Sequence, residues 1–338
     1  MSDSEWIKVD YDQFLSDFGN ALIVKFAPSI LYSKKDKEHE AFISLIAFFF
    51  ITGGLLIYIA LTYFLAPILF SLLLFVIIVI IGTISAILLM INYLKSNIYI
   101  KPLECWFEIF KGSSEDRSHF YCFSYFPIFS GLCHPNKVKN IVYKIYKEEV
   151  LENKFNISHI EVYLKLNTIN KDSSENLGFF FQYAEGHPFK LENIKQTPWK
   201  FFPFEKSNNE NYLATANWVH QYEWKDDLEY DFDKLHEYAP WVIQRWNSTN
   251  LKPLTEDYKS RINWDLRNIE SIPKIKPWEK ELEKQSYDNP REYEALRIVD
   301  EVIKKFIGTD EDLQKVRKLK GKLFSIKSYF RDLKTEKN

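Results

Sequence analysis

Hydrophobic and polar positions alternate in several different ways along the chain, and the first pattern to stand out is an uninterrupted one. From Ala41 to Leu94, 54 residues pass without a charged side chain. A helix rises about 1.5 Å per residue and a bilayer's hydrocarbon core is about 30 Å thick, so one crossing takes about 20 apolar residues. The run is too long for one span and suits two. Pro67 removes a backbone donor and fits the first turn of a new helix, which predicts helices over 42–63 and 67–93 joined by a tight turn. Small residues allow close helix approach, so Gly53, Gly54, Gly82 and Ala86 are the expected contact positions between the two. No ionisable side chain lies within either span, which argues for an anchor rather than an ion path.

The flanks set an expected orientation. Lys25, Lys34, Lys35 and Lys37 precede the run, Lys95, Lys101 and Lys111 follow it, and the turn between the helices is uncharged. The positive-inside rule then predicts a two-pass integral membrane protein with both termini cytoplasmic, in the cell membrane if the host is prokaryotic. No cleavable leader is expected, because the first 40 residues are polar and charged.

Helical spacing returns ahead of the run. Phe14, Leu15, Phe18, Leu22 and Phe26 repeat on one face, opened by Asp10 or Asp12 and stopped by Pro28. Such a helix either lies in a membrane interface or docks on the protein's own folded domain. After residue 97 the pattern becomes strand-like through Ile98–Phe110 and Phe120–Phe129. A helix is expected beyond Pro135, with Val138, Ile141, Val142, Ile145 and Val150 on one side. Strict alternation marks Ile160–Leu166, where Ile160, Val162, Leu164 and Leu166 interleave with Glu161, Tyr163, Lys165 and Asn167, the period of a half-buried strand. Leu177–Tyr183 is its expected hairpin partner, and Phe189–Leu191, Trp199–Phe204 and Tyr212–Trp218 read as further strands. Phe232, Leu235, Ala239, Val242, Ile243 and Trp246 predict one more helix. Residues 248–288 lack a sustained period and read as an extended, proline-containing arm pinned by Trp264 and Trp278.

The C-terminus carries clear helix punctuation: Asn289 as cap, Pro290 at the first position, and Gly308 as stop. Tyr293, Leu296, Val299, Val302, Ile303 and Phe306 form the expected buried face. A second helix follows from Thr309, with Leu313, Val316, Leu323, Ile326, Phe330 and Leu333. The predicted class is therefore a membrane α+β protein: an N-terminal segment (1–40), a two-helix transmembrane hairpin (41–94), a strand-rich α+β cytosolic domain (95–247), the arm (248–288) and a C-terminal helical hairpin (289–338).

Composition narrows the chemistry. Net charge is −2, aromatics make up 17% and only 10 glycines are present. No glycine-rich phosphate loop, HExxH, GxSxG or kinase signature occurs, which disfavours P-loop and Rossmann-type chemistry. Three cysteines form neither an even set nor a CxxC pair, so no disulfide framework is expected. His119, Cys122 and Cys133, with His134, have zinc-ligand chemistry, but the adjacent pair spaces them badly, and buried thiols with turn histidines are the weightier reading. Between His220 and Glu237 lies a dense acidic cluster in which His220, Asp226, Asp227 and His236 are candidates for metal-assisted or general-base catalysis; an acidic solvated turn leading into a helix is the commoner outcome. Lys315, Lys318 and Lys322 belong to a basic stripe that either meets anionic headgroups or is a solvated helix face. No cofactor and no nucleic acid are expected. The leading functional expectation is a membrane-anchored, non-enzymatic binding or scaffold module whose partners are the lipid bilayer and a protein or second copy. A membrane-bound metal-dependent hydrolase using the His220–Glu237 cluster and an oligomeric two-helix pore are the alternatives.

Overall fold

The computed structural model describes residues 5–33, 36, 53, 99–134, 136–150, 156–166, 174–184, 198–204, 212–215, 218–225, 241–261, 273–279, 282, 285–288, 291–308 and 319–337. The chain divides into two compact units, one formed by 1–35 with 101–338 and the other by 36–100. In the second unit, the Ile100 N–H donates to the Asp36 carbonyl at 2.8 Å.

The first unit is built on a nine-stranded sheet. Its central strands are β3 (Pro102–Gly112), β4 (Phe120–Phe129), β6 (Ile160–Leu166) and β7 (Ser174–Gln182), each antiparallel to the next. On the far side, β8 (Pro198–Pro203) and β13 (Ser286–Asp288) continue the order. The outer edge of β3 is shared by two short strands, β1 (Trp6–Lys8), antiparallel near its C-terminal end, and β12 (Leu251–Pro253), parallel near its start. In the same way β5 (Asn156–Ile157) pairs with the end of β4 beyond β6. A second sheet has the order β10 (Tyr222–Lys225), β9 (Tyr212–Thr215), β2 (Ser29–Ser33) and β11 (Trp241–Gln244).

Both faces of the large sheet are covered. On one side lie α1 (Tyr11–Phe18) and α2 (Ala21–Phe26). Asp10 caps α1 by accepting from the N–H groups of Asp12 and Gln13, and Gly19 ends it at φ 78. Phe14 packs edge-on to Phe123 at 5.4 Å, and the Tyr125 hydroxyl donates to the Ile23 carbonyl at 2.7 Å. Of the two placements open for this amphipathic segment, the described one is docking on its own sheet. The expected single helix is divided at Gly19, whose positive φ an L side chain rarely adopts.

α3 (Lys137–Glu149), α5 (Arg291–Phe306) and α6 (Leu319–Lys337) form a helical layer, while α4 (Glu256–Arg261) stands by itself. Asn136 caps α3 through Val138 and Lys139. Val142, Tyr146, Val299, Val302, Ile303, Ile326 and Phe330 share one core with Trp218. The C-terminal helices thus bury their apolar faces on α3 as well as on each other. Gly308, at φ 114, returns its N–H to the Ile303 carbonyl, the expected helix stop.

Two expectations are corrected. Among the described residues no helix is long and apolar enough to cross a membrane. The two-helix transmembrane hairpin, the membrane α+β class, the integral-membrane description and the two-pass placement with both termini cytoplasmic are therefore unsupported. The described chain is mostly a strand-rich sheet domain with few helices. Hydropathy reports escape from water, whereas a crossing requires a continuous helix that satisfies its own backbone, and none of that length and apolarity is present among the described residues. The run 41–94 itself lies outside the described residues except Gly53, as do Gly54, Gly82 and Ala86. The second correction concerns the helix expected through Trp246: residues 241–244 are strand β11, antiparallel to β2, and Trp241 and Ile243 pack on Leu31, Tyr212 and Ala214. Alternate residues on one face satisfy a strand as readily as the mixed three- and four-residue spacing satisfied a helix.

Gly178 shows how tightly the sheet is packed. It has φ 155, and a Cβ there would lie 2.3 Å from the Phe202 carbonyl oxygen and 2.4 Å from the Phe201 ring. The ring of Phe201 fills the space opposite Tyr163. Gly178→Ala is expected to cost at least about 2 kcal/mol through steric overlap and backbone strain, read as a lower midpoint in urea denaturation.

Candidate functional site

Strand register brings a polar row into an aromatic layer. Glu108, Ser124, Glu161, Phe180 and Phe201 are consecutive cross-strand partners on β3, β4, β6, β7 and β8. The next row on the same face holds Phe110, Cys122, Tyr163 and Gly178. Alternation along β6 predicted Glu161 and Tyr163 on a solvated face. Instead both are fully buried, at 0% exposure, because a second layer covers that face.

The cover is a strap, residues 273–279. Lys274 places its Nζ 3.1 Å from Glu161 Oε1 and 3.9 Å from the centre of the Phe110 ring. Tyr163 donates its hydroxyl hydrogen to Glu161 and accepts from the Ile275 N–H at 2.9 Å. The Ile275 carbonyl in turn accepts from Trp6 Nε1 at 3.2 Å. Trp278 lies 5.2 Å from Trp6, and the Arg117 guanidinium stacks over it at 4.7 Å. Lys276 adds a contact with Glu5 at 3.1 Å. The strap is thus held by side chains from β1, β3, β6 and the turn after β3. The expectation that Trp278 would pin the arm is met; Trp264 lies outside the described residues.

Electrostatics follow from burial. Burial alone would push the Lys274 ammonium down, but Glu161, then Cys122 and Glu108, carry it above its ordinary value. Burial pushes the Tyr163 phenol well up, and neighbouring Cys122 and Glu161 add to the effect. Glu108, also buried, is met by Lys8 at 2.6 Å and by Lys259 of α4 at 3.2 Å. His159, just before β6, stacks on Phe126 at 4.6 Å and sets its Nε2 3.5 Å from Glu161 Oε1. Neither of its ring nitrogens makes a hydrogen bond among the described residues. Burial, followed by the Lys274 charge, drives its pKa well below the usual histidine range, so it is neutral at pH 7. A neutral base, a phenol, a carboxylate and an ammonium therefore converge in a sealed layer. Such an arrangement can hold protons and charges in fixed positions.

The residues singled out in the sequence are placed elsewhere. His220 is buried at φ 61, stacks on Phe129 at 3.9 Å and shares a 2.9 Å contact between its Nδ1 and Asn156 Nδ2. Asp226, Asp227 and His236 lie outside the described residues. His119 lies tilted against Phe120 at the start of β4, Cys122 is buried beside Ser124 Oγ at 3.8 Å, and Cys133 contacts the His134 carbonyl at 3.9 Å. The structure does not gather these three. Among the described residues no group of three or more His, Cys, Asp or Glu is arranged to hold a metal ion. Lys322 is half-buried on α6, while Lys315 and Lys318 lie outside the described residues. Sequence reasoning missed Glu108, His159 and Lys274, which are dispersed over 167 positions; the one available signal was a glutamate and a tyrosine alternating with core residues in a strongly apolar strand.

Comparison with protein-family models, with curated proteins and with solved structures gave no match to this chain.

Tyr163→Phe removes the acceptor of the Ile275 N–H and a donor to Glu161 without changing ring volume. A stability loss of about 1–3 kcal/mol is expected in chemical denaturation, the usual cost of leaving buried polar groups unpaired.

Proposed function

We propose that the chain is a non-enzymatic binding or scaffold module that acts on a protein partner or on a second copy of itself. One observation carries this reading: the two buried carboxylates of the large sheet are engaged by the protein's own side chains. Glu161 is held by Lys274 and Tyr163, and Glu108 by Lys8 and Lys259. Trp6, Ile275 and Trp278 fill the space above this row. A concave site with converging, accessible groups is the usual mark of an enzyme, and a filled core fits a module that works through its outer surface. On that surface Phe324 of α6 is 80% exposed, the most exposed large hydrophobic side chain among the described residues.

The test replaces Phe324 with a photo-crosslinking amino acid in the full chain, expressed in its native cells, with the same label at Ile7 on β1 as control. A discrete covalent adduct of protein mass is expected at position 324 and not at position 7. The reading is overturned if neither position gives an adduct, or if the purified chain turns over model ester or phosphoester substrates with added divalent metal in a manner abolished by His220→Ala.

A further inference from the structure

The strap is fastened to a carboxylate that a second base can also reach. Glu161 receives the Lys274 ammonium at 3.1 Å, while His159 holds its Nε2 3.5 Å from the same Oε1 atom. His159 is 9% exposed and its two ring nitrogens lack hydrogen bonds among the described residues, although Phe126 and Trp199 pack against the ring. We propose that His159 is an acid-sensitive release for the strap 273–279: once protonated it takes over Glu161, and Lys274 is freed to carry the strap off the sheet.

The groups around the imidazole and around the Glu161–Lys274 pair make the direction definite. β6 contributes Glu161 and the neutral Tyr163, β4 contributes the thiol of Cys122, and the strap contributes Lys274. β3 contributes Glu108, which Lys8 of β1 and Lys259 of α4 already hold. β8 contributes only the uncharged Trp199. One carboxylate therefore serves two potential cations that stand on the same oxygen. In the closed arrangement a charged imidazole is a second cation beside Lys274 and has no counter-ion of its own among the described residues. With the strap lifted, Lys274 enters water, the ring is solvated, and Glu161 has a single partner. The open state therefore binds the proton more tightly than the closed state, and acid shifts the equilibrium towards opening. The unperturbed histidine value is about 6.5, so opening gains about tenfold per pH unit below that point, or about thirtyfold between pH 8 and pH 5.

Cys122 reports the event because it lies in the core cluster with Trp6, Tyr163 and Ile275. Cys105 projects to the opposite face of the sheet and is equally buried, so it reports general unfolding. The full chain is treated with 4,4′-dithiodipyridine, which modifies thiols in acid, and labelling at each cysteine is followed by mass spectrometry from pH 8 to pH 5. The Cys122-to-Cys105 rate ratio is expected to rise about thirtyfold in the wild type and to stay within about twofold in His159→Gln. As a check that needs no variant, exchange of the Ile275 amide relative to the Val162 amide should rise by the same factor over this range. A flat ratio, parallel labelling of both cysteines, or a rise that persists in His159→Gln would overturn the proposal.

Discussion

A carboxylate taken out of water must be given a cation, and in this protein that requirement organises one whole face of the large sheet. Glu161 sits on a central strand with no exposure, and its cation arrives from residue 274, 113 positions along the chain. An unpaired charge at such a site would cost several kcal/mol, so the Lys274 ammonium holds the strap on the sheet while Glu161 has no other cation. Its position then determines others. Ile275 takes a hydrogen bond from Trp6, Trp6 lies on β1, and β1 closes the outer edge of β3. The segment around Trp6 and the strap around Ile275 are thereby tied to the centre of the sheet.

The same constraint bears on function. A buried ion pair is weak grounds for stability compared with apolar packing, yet it specifies which segment goes where. Here the specificity is high, because Lys274 is fixed by charge, by the Phe110 ring and by the backbone bond of its neighbour to Tyr163. Polar chemistry turned inward in this way is spent on assembly. In the proposed function, recognition falls to the outer surface, with the α3, α5 and α6 layer. His159 is the member of the buried group that does not fit the assembly role, since it is packed on Phe126 but makes no hydrogen bond at either nitrogen among the described residues.

Local features of the fold were legible wherever one short-range signal dominated. The Asp10 cap, the α3 face, the β6–β7 hairpin and the Gly308 stop all follow from residues within a few positions of one another. Failures occurred where the deciding partner was distant. The polar positions of β6 looked solvated because nothing near them in sequence announces the strap. Trp241–Gln244 looked helical because β2, its partner, lies about 210 residues earlier. The transmembrane expectation rested on hydropathy alone, and among the described residues no helix supports it. The candidate site was almost entirely hidden: its ligating pairs join residues 8 with 108, 161 with 274 and 108 with 259, and only the role of Trp278 was foreseen.

The covered face of the sheet depends on Glu161 and Lys274 acting as one unit across the strap. The direct measurement is a double-mutant cycle by urea denaturation at pH 7.5 on the wild type, Glu161→Gln, Lys274→Met and the double variant. Each single change is expected to cost about 3–5 kcal/mol, and the double variant less than the sum by at least about 2 kcal/mol, because removing both partners leaves no uncompensated charge. Losses that add to within about 0.5 kcal/mol would contradict it, since independent sites behave in that way.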